Sequence, residues 1–115
     1  MQIQNKTQSY KDLIVWQKAM KISVLVYTLT DRFPKSEIFS LTNQIRRSAV
    51  SIPSNIAEGW GRRGSGEYIQ FLKIASGSAS ELETQLILSK QLKFGSLPEY
   101  KEMRKYCLKY KSYFM

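Results

Sequence analysis

The sequence predicts an all-α protein, a single antiparallel up-down-up-down four-helix bundle spanning residues 1–115. Three observations lead there. Apolar residues recur at helical steps of three and four in four separate stretches. The connections between those stretches are short, as antiparallel neighbours require. No run of alternating β-branched residues competes for a sheet. The expected helices cover about 10–33, 41–60, 66–93 and 97–114.

A chain of 115 residues with 43% hydrophobic and 23% charged side chains can fill one core but not two. No apolar run approaches the ~20 residues of a membrane-spanning helix. MQIQNKTQSYK at the start lacks the apolar segment of a secretory signal. The lone Cys107 allows no internal disulfide. A cytoplasmic protein is the expectation. The net charge of +9 favours a polyanionic partner, with nucleic acid first and an acidic protein or membrane surface after it.

Ser9 is placed to cap the first helix, whose apolar residues fall on two tracks. Leu13, Trp16, Met20, Val24 and Tyr27 form one, and Val15, Ala19, Ile22, Val26, Leu29 and Phe33 the other. Together they predict a wide buried face opposite Lys11, Lys18, Lys21 and Arg32. Pro34 stops the helix.

In the second stretch, Leu41, Ile45, Ala49, Ile52 and Ile56 define the buried face. Pro53 interrupts it and predicts a kink, because proline removes one helical hydrogen bond at a cost of ~3 kcal/mol. Ser51, Ser54 and Asn55 flank the kink and are expected to satisfy the freed carbonyls. Glu58 and Arg62 are spaced as an i,i+4 pair, and GWGRRGSGE then reverses the chain.

Ser65 is the expected cap of the third helix. One heptad seam on it, from Tyr68 through Leu72, Ala75, Ala79, Leu82 and Leu86 to Ser89, suits a bundle interior. A second runs through Phe71, Ile74, Ser78, Glu81, Gln85, Leu88 and Leu92, and turns polar at its centre. Two seams exceed what one interior needs, which points to a subunit interface. The small residues Ser76, Gly77 and Ser78 are expected to admit the kinked Pro53, Ser54 and Asn55 segment, and with Glu81 they form the predicted packing and interface set.

Ser96 and Glu99 have capping-box spacing, with Pro98 in the first turn of the last helix. Tyr100, Met103, Cys107, Tyr110 and Phe114 line one of its faces. Lys101, Arg104, Lys105, Lys109 and Lys111 occupy much of the rest, making it the most basic helix.

Few patterns suggest chemistry. Gly59, Gly61 and Gly64 match G-x-G-x-x-G, but a helix precedes them where a dinucleotide site needs a strand. Arg62 and Arg63, beside the start of the third helix, are the candidate phosphate ligands of that loop. Glu58, Glu81 and Glu83 cannot build a di-metal bundle site without histidine, which the chain lacks. A buried glutamate paired with Arg46 or Arg47 is expected instead. Cys107 has no histidine to activate it and reads as a core residue. Trp60, Tyr106 and Tyr113 are the aromatics kept as stacking candidates.

DLIVWQKAM, VYTLTDRFPKSE, QIRRSAVSIPSNIAEGWGR and FLKIASGSASELETQL together resemble the four-helix-bundle proteins encoded within intervening sequences of bacterial 23S ribosomal RNA genes. The resemblance spans about residues 10–95. It implies a homopentamer around a central channel. It also implies kinship with the accessory variability protein of diversity-generating retroelements, a basic pentameric bundle that binds a reverse transcriptase and nucleic acid. It carries no catalytic residues.

The expectation is therefore a non-enzymatic, basic, oligomeric module without cofactor that binds nucleic acid, structured RNA above all, or an RNA–protein complex. Lys101, Arg104, Lys105, Lys109, Lys111, Arg62 and Arg63 would contact phosphates. Five copies of +9 would carry about +45. The alternative is a protein-interaction scaffold, for example for a reverse transcriptase, with nucleic-acid contact incidental.

Overall fold

The computed structural model describes residues 9–62 and 64–111, with side chains through Tyr106. Four α-helices follow one another: α1 over Ile14–Thr30, α2 over Leu41–Trp60, α3 over Ser65–Gln91 and α4 over Leu97–Lys111. No strand occurs among the described residues. Each helix lies beside its sequence neighbours, and α1 also packs on α4, which closes a four-helix bundle. Neighbouring helices touch in opposite senses across every pair. Ser23 meets Ala49 while Arg46 meets Thr30. Ser51 meets Ser78 while Gly59 meets Phe71. Ser89 meets Tyr100, and Arg32 meets Glu99 while Lys18 meets Tyr106.

One core runs the length of the bundle, with Ile22, Leu29, Ile45, Ile52, Ile56, Leu82 and Met103 among its largest fully buried side chains. The first helix is shorter than its pattern predicts. Ser9 does cap, but it caps a 3-10 turn over Tyr10–Asp12: its hydroxyl accepts from Lys11 N at 3.1 Å, and Asp12 accepts from Ser9 N at 3.2 Å. Leu13 is extended, so α1 begins only at Ile14. Nor is its buried face as wide as two tracks imply. Ala19, Ile22, Val26, Leu29 and Phe33 are buried, whereas Met20, Val24 and Tyr27 remain exposed. A helix packed against only two neighbours covers one stripe.

α2 continues through Pro53, which is itself buried. Proline cannot donate to the carbonyl four residues back, here Ala49. The partner comes from outside the helix: Ser23 of α1 places its hydroxyl 3.1 Å from Ala49 O and 3.0 Å from Ala19 O. The expected role of Ser51, Ser54 and Asn55 is therefore corrected. Asn55 donates to Ser51 O at 2.7 Å and to Ser51 Oγ at 2.9 Å, and Ser54 is exposed.

The close approach of α2 and α3 also lies elsewhere than predicted. It falls at Gly59, where an added Cβ would stand 2.6 Å from Phe71 Cβ. Only a residue without a side chain fits there. Farther along, the Ser51 and Ser78 hydroxyls bond at 2.8 Å. Gly77 faces away, with nothing within 4 Å of a Cβ built on it.

Gly64 rather than Ser65 is the N-cap of α3, and Ser65 makes no capping bond. At the other end, Phe94 N donates to Ser89 O and Lys93 N to Lys90 O, both at 3.0 Å, which is a Schellman motif. Its left-handed position, usually glycine, is held by Lys93 at φ 63°. Gly95 follows at φ 78°, pressed against Leu29 and Phe33. Tyr100 ties this corner, donating to Phe94 O at 2.6 Å and bonding Ser89 Oγ at 2.8 Å. Ser96 Oγ donates to Glu99 Oε1 at 2.8 Å, a side chain–side chain bond at the predicted spacing in place of the backbone-bonded capping box.

Candidate nucleic-acid interface

α4 turns Tyr100 and Met103 into the core, and its periodicity then sends Lys101, Arg104 and Lys105 outward, where all three are exposed. They occupy adjacent positions of one helical surface. The side chains of Lys109 and Lys111, together with Cys107 and Tyr110, and all of Tyr113 and Phe114, lie outside the described residues. Tyr106 is half-buried against the core beneath Lys18, whose Nζ stands 5.6 Å from the ring centroid. It serves as packing on its inner side.

The predicted loop site lies apart from this surface. Arg104 shares a hollow with Glu83, whereas Arg62 precedes Ser65, about 27 Å away along the axis of α3 at 1.5 Å per residue. Arg62 is also engaged. It donates to Glu58 at 2.9 Å, fulfilling the i,i+4 spacing, and its guanidinium lies 5.1 Å from the Phe71 ring centroid. A phosphate bound there would compete with both interactions. Trp60 packs edge-on against Tyr68 at 6.0 Å beside the same loop. Arg63 lies outside the described residues.

Arg46 does not take a buried glutamate. It donates to Asp31 at 3.0 Å and to Thr30 Oγ1 at 2.8 Å, over the Tyr27 ring at 4.6 Å. Glu81 is exposed and Glu58 faces Arg62, so neither is the buried glutamate expected beside Arg46 or Arg47. The charges stay at the rim because α1 offers Asp31 beside Arg46 across the first helical hairpin.

Of the predicted packing and interface set, Pro53 is buried, Asn55, Ser76 and Ser78 are half-buried, and Ser54, Gly77 and Glu81 are exposed. Between these helices runs a polar groove of about 330 Å³ that no spacing along the chain assembles. Gln44, Arg47, Ser48 and Ser51 of α2 form one wall, and Ser78, Glu81 and Gln85 of α3 the other. Its signal is present as two polar stripes at helical spacing, one on each helix. Nothing local in the chain pairs them. A second hollow shares Arg47 and Ser51 and adds Tyr27, Ile38, Phe39 and Val50, with Phe39 92% exposed. Between α3 and α4, Leu86, Ile87, Tyr100 and Met103 line a largely apolar hollow of about 210 Å³ edged by Glu83, Lys90 and Arg104.

Burial raises the Tyr68 hydroxyl above its ordinary pKa. It raises Tyr100 as well, where the Ser89 hydrogen bond opposes the shift and the Glu99 charge adds to it. Among the described residues, no group of three or more His, Cys, Asp or Glu side chains is placed to hold a metal ion. No described helix is long and apolar enough to cross a membrane.

Fold and surface thus define a basic bundle protein, all-helical among the described residues, whose Lys and Arg outnumber its Asp and Glu by 18 to 9. Residues 11–113 match the model of the 23S rRNA-intervening sequence protein family, and the chain belongs to that family. The fold is also that of a crystal structure of a protein of unknown function from the S23 ribosomal protein family of Bacteroides thetaiotaomicron. The two superpose with a TM-score of 0.77 over 88% of this chain and 94% of that one, at 23% sequence identity. No curated protein sequence matches.

Proposed function

We propose that the protein is a non-enzymatic, basic, oligomeric binding module for nucleic acid, structured RNA foremost, acting in the cytoplasm. The observation that carries the reading is the outward surface of α4, where Lys101, Arg104 and Lys105 stand exposed on a chain of net charge +9. Such side chains reach phosphates without selecting a sequence. The complete absence of histidine supports a binding rather than a catalytic role. Self-assembly, a pentamer by family resemblance, would multiply the charge and strengthen the attraction. Ser54, Ile74 and Gly77 give α2 and α3 a low, exposed relief against which another copy can pack.

Filter binding of a structured RNA over a range of salt tests the reading. Reversing Lys101 and Lys105 to glutamate should weaken binding and reduce the slope of log K against log salt by roughly 0.7–0.9 for each phosphate that is no longer neutralised. Unchanged affinity and slope would remove α4 from the site. The scaffold alternative has its own support in the largely apolar α3–α4 hollow, in whose lining Ile87 is 53% exposed. A partner retained on the protein after nuclease treatment would favour it.

A further inference from the structure

Phe39 is 92% exposed and takes no part in the core. Its backbone is nonetheless held. It sits in the turn joining the 3-10 segment Lys35–Glu37 to α2, where Ile38 N donates to Lys35 O at 3.2 Å and Ser40 N to Glu37 O at 3.0 Å. The Ser40 hydroxyl adds a bond to Glu37 Oε1 at 2.8 Å. The ring is thus presented to solvent from a tied turn. With the exposed side chains of Tyr27, Ile38 and Val50 it lines one hollow of about 610 Å³ between α1 and α2. Single exposed apolar side chains are ordinary, but four around one hollow mark a contact surface.

Charge selects what covers it. Arg46 and Arg47 line the hollow, and no carboxylate does. Arg46 is held by Thr30 and Asp31 with its guanidinium over the Tyr27 ring at 4.6 Å, whereas the Phe39 ring stands bare. Arg47 is exposed and makes no hydrogen bond or ion pair among the described residues. The hollow also shares one end of the bundle with the basic surface of α4. Asp31, which takes Arg46, is followed by Arg32, and Arg32 pairs at 3.3 Å with Glu99 in the first turn of α4, just before Lys101.

We infer that Phe39 is a stacking platform for an unpaired base, part of a single-stranded stretch continuous with the RNA on α4; this rests on the nucleic-acid reading above. A base covers the ring, and the phosphates beside it meet Arg46 and Arg47. An acidic peptide would also suit the arginines, but a bare aromatic face adjoining a cationic helix is the combination by which single strands are held. Such stacking accepts any base, because every base has a π-face.

Fluorescence anisotropy with a blunt RNA duplex, and with the same duplex carrying a short single-stranded uridine tail, tests this. The tail should strengthen binding about tenfold. Phe39→Ala should abolish that gain and leave the blunt duplex bound as before; the slope against log salt should not change, since a ring neutralises no phosphate. Phe39→Leu keeps apolar bulk without an aromatic face and should lose most of the gain as well. Because the ring lies outside the core, both variants should keep the circular dichroism and Tm of the parent. A tail without effect, a gain that survives either variant, or an equal loss on the blunt duplex overturns the inference while leaving the nucleic-acid reading intact. If neither RNA binds, both fall together. A lower mass of Phe39→Ala in light scattering would assign the ring to a contact between copies, and a protein partner retained after nuclease treatment but lost from Phe39→Ala would assign it to that partner; either result overturns the inference.

Discussion

Replacing Ser23 by alanine should expose how α2 tolerates its proline. The Ser23 hydroxyl lies 3.1 Å from Ala49 O, the carbonyl that Pro53 deprives of its helical partner, in a part-buried setting. Removing the hydroxyl strands that carbonyl between α1 and α2. An acceptor left unsatisfied in such a place costs about 1–3 kcal/mol. Taking about 2 kcal/mol, and roughly 4 °C per kcal/mol for a chain of this length, Tm should fall by about 8 °C. The single mutant alone would not identify the cause, because Ser23 also reaches Ala19 O at 3.0 Å. A double-mutant cycle with Pro53→Ala isolates it. Alanine at 53 restores an N–H to Ala49 O, so Ser23→Ala in that background should cost about 0.5 kcal/mol or less. The coupling between the two sites should therefore be about 1.5 kcal/mol. Urea unfolding followed by far-UV circular dichroism, at fixed protomer concentration, measures all four corners. An equal cost of Ser23→Ala in both backgrounds would refute the account.

Other consequences can be checked on the same footing. Lys93→Gly should stabilise the bundle by about 1 kcal/mol in the same urea assay, because glycine adopts φ 63° without the Cβ clash of an L residue; a drop in stability would show that the lysine side chain matters more than its backbone. Tyr100 should make the protein alkali-sensitive. Its folded pKa is raised above the ordinary 10.0, mainly by burial, so its contribution is complete below pH 10 and disappears as pH rises through the folded value. Tyr100→Phe should flatten that alkaline decline, and should cost about 1 kcal/mol at neutral pH through the bonds to Phe94 O and Ser89. Gly77 and Gly59 should behave oppositely. Gly59→Ala forces a Cβ to within 2.6 Å of Phe71 and should destabilise by about 1–3 kcal/mol. Gly77→Leu meets open space within the protomer, so it should leave helicity unchanged while lowering the mass seen by light scattering; an unaltered mass would exclude Gly77 from any contact between copies.

The periodicity of the chain settled the architecture because burial follows it directly. Ala19, Ile22, Val26 and Leu29 on α1, Ile45, Ala49, Ile52 and Ile56 on α2, and Ala75, Ala79, Leu82 and Leu86 on α3 are buried as their spacing demands. Local pairs three and four residues apart were equally legible, as Glu58 with Arg62 and Ser96 with Glu99 show. So was the basic surface of α4 through Lys101, Arg104 and Lys105, since what a helix turns away from its core is fixed by the core positions. Partners from different helices were decided only by tertiary packing. Ser23 and Ala49 lie 26 residues apart, Ser51 and Ser78 27, and no local pattern sets the relative rotation and offset of the helices that join them. The same freedom let Asp31 rather than a glutamate take Arg46, and placed the tight crossing at Gly59 rather than Gly77. It also brought Arg47, Glu81 and Gln85 around one groove. Which residues share a face of one helix follows from the constant turn of the backbone; which faces meet, and at what height, depends on how all four helices fill the space between them.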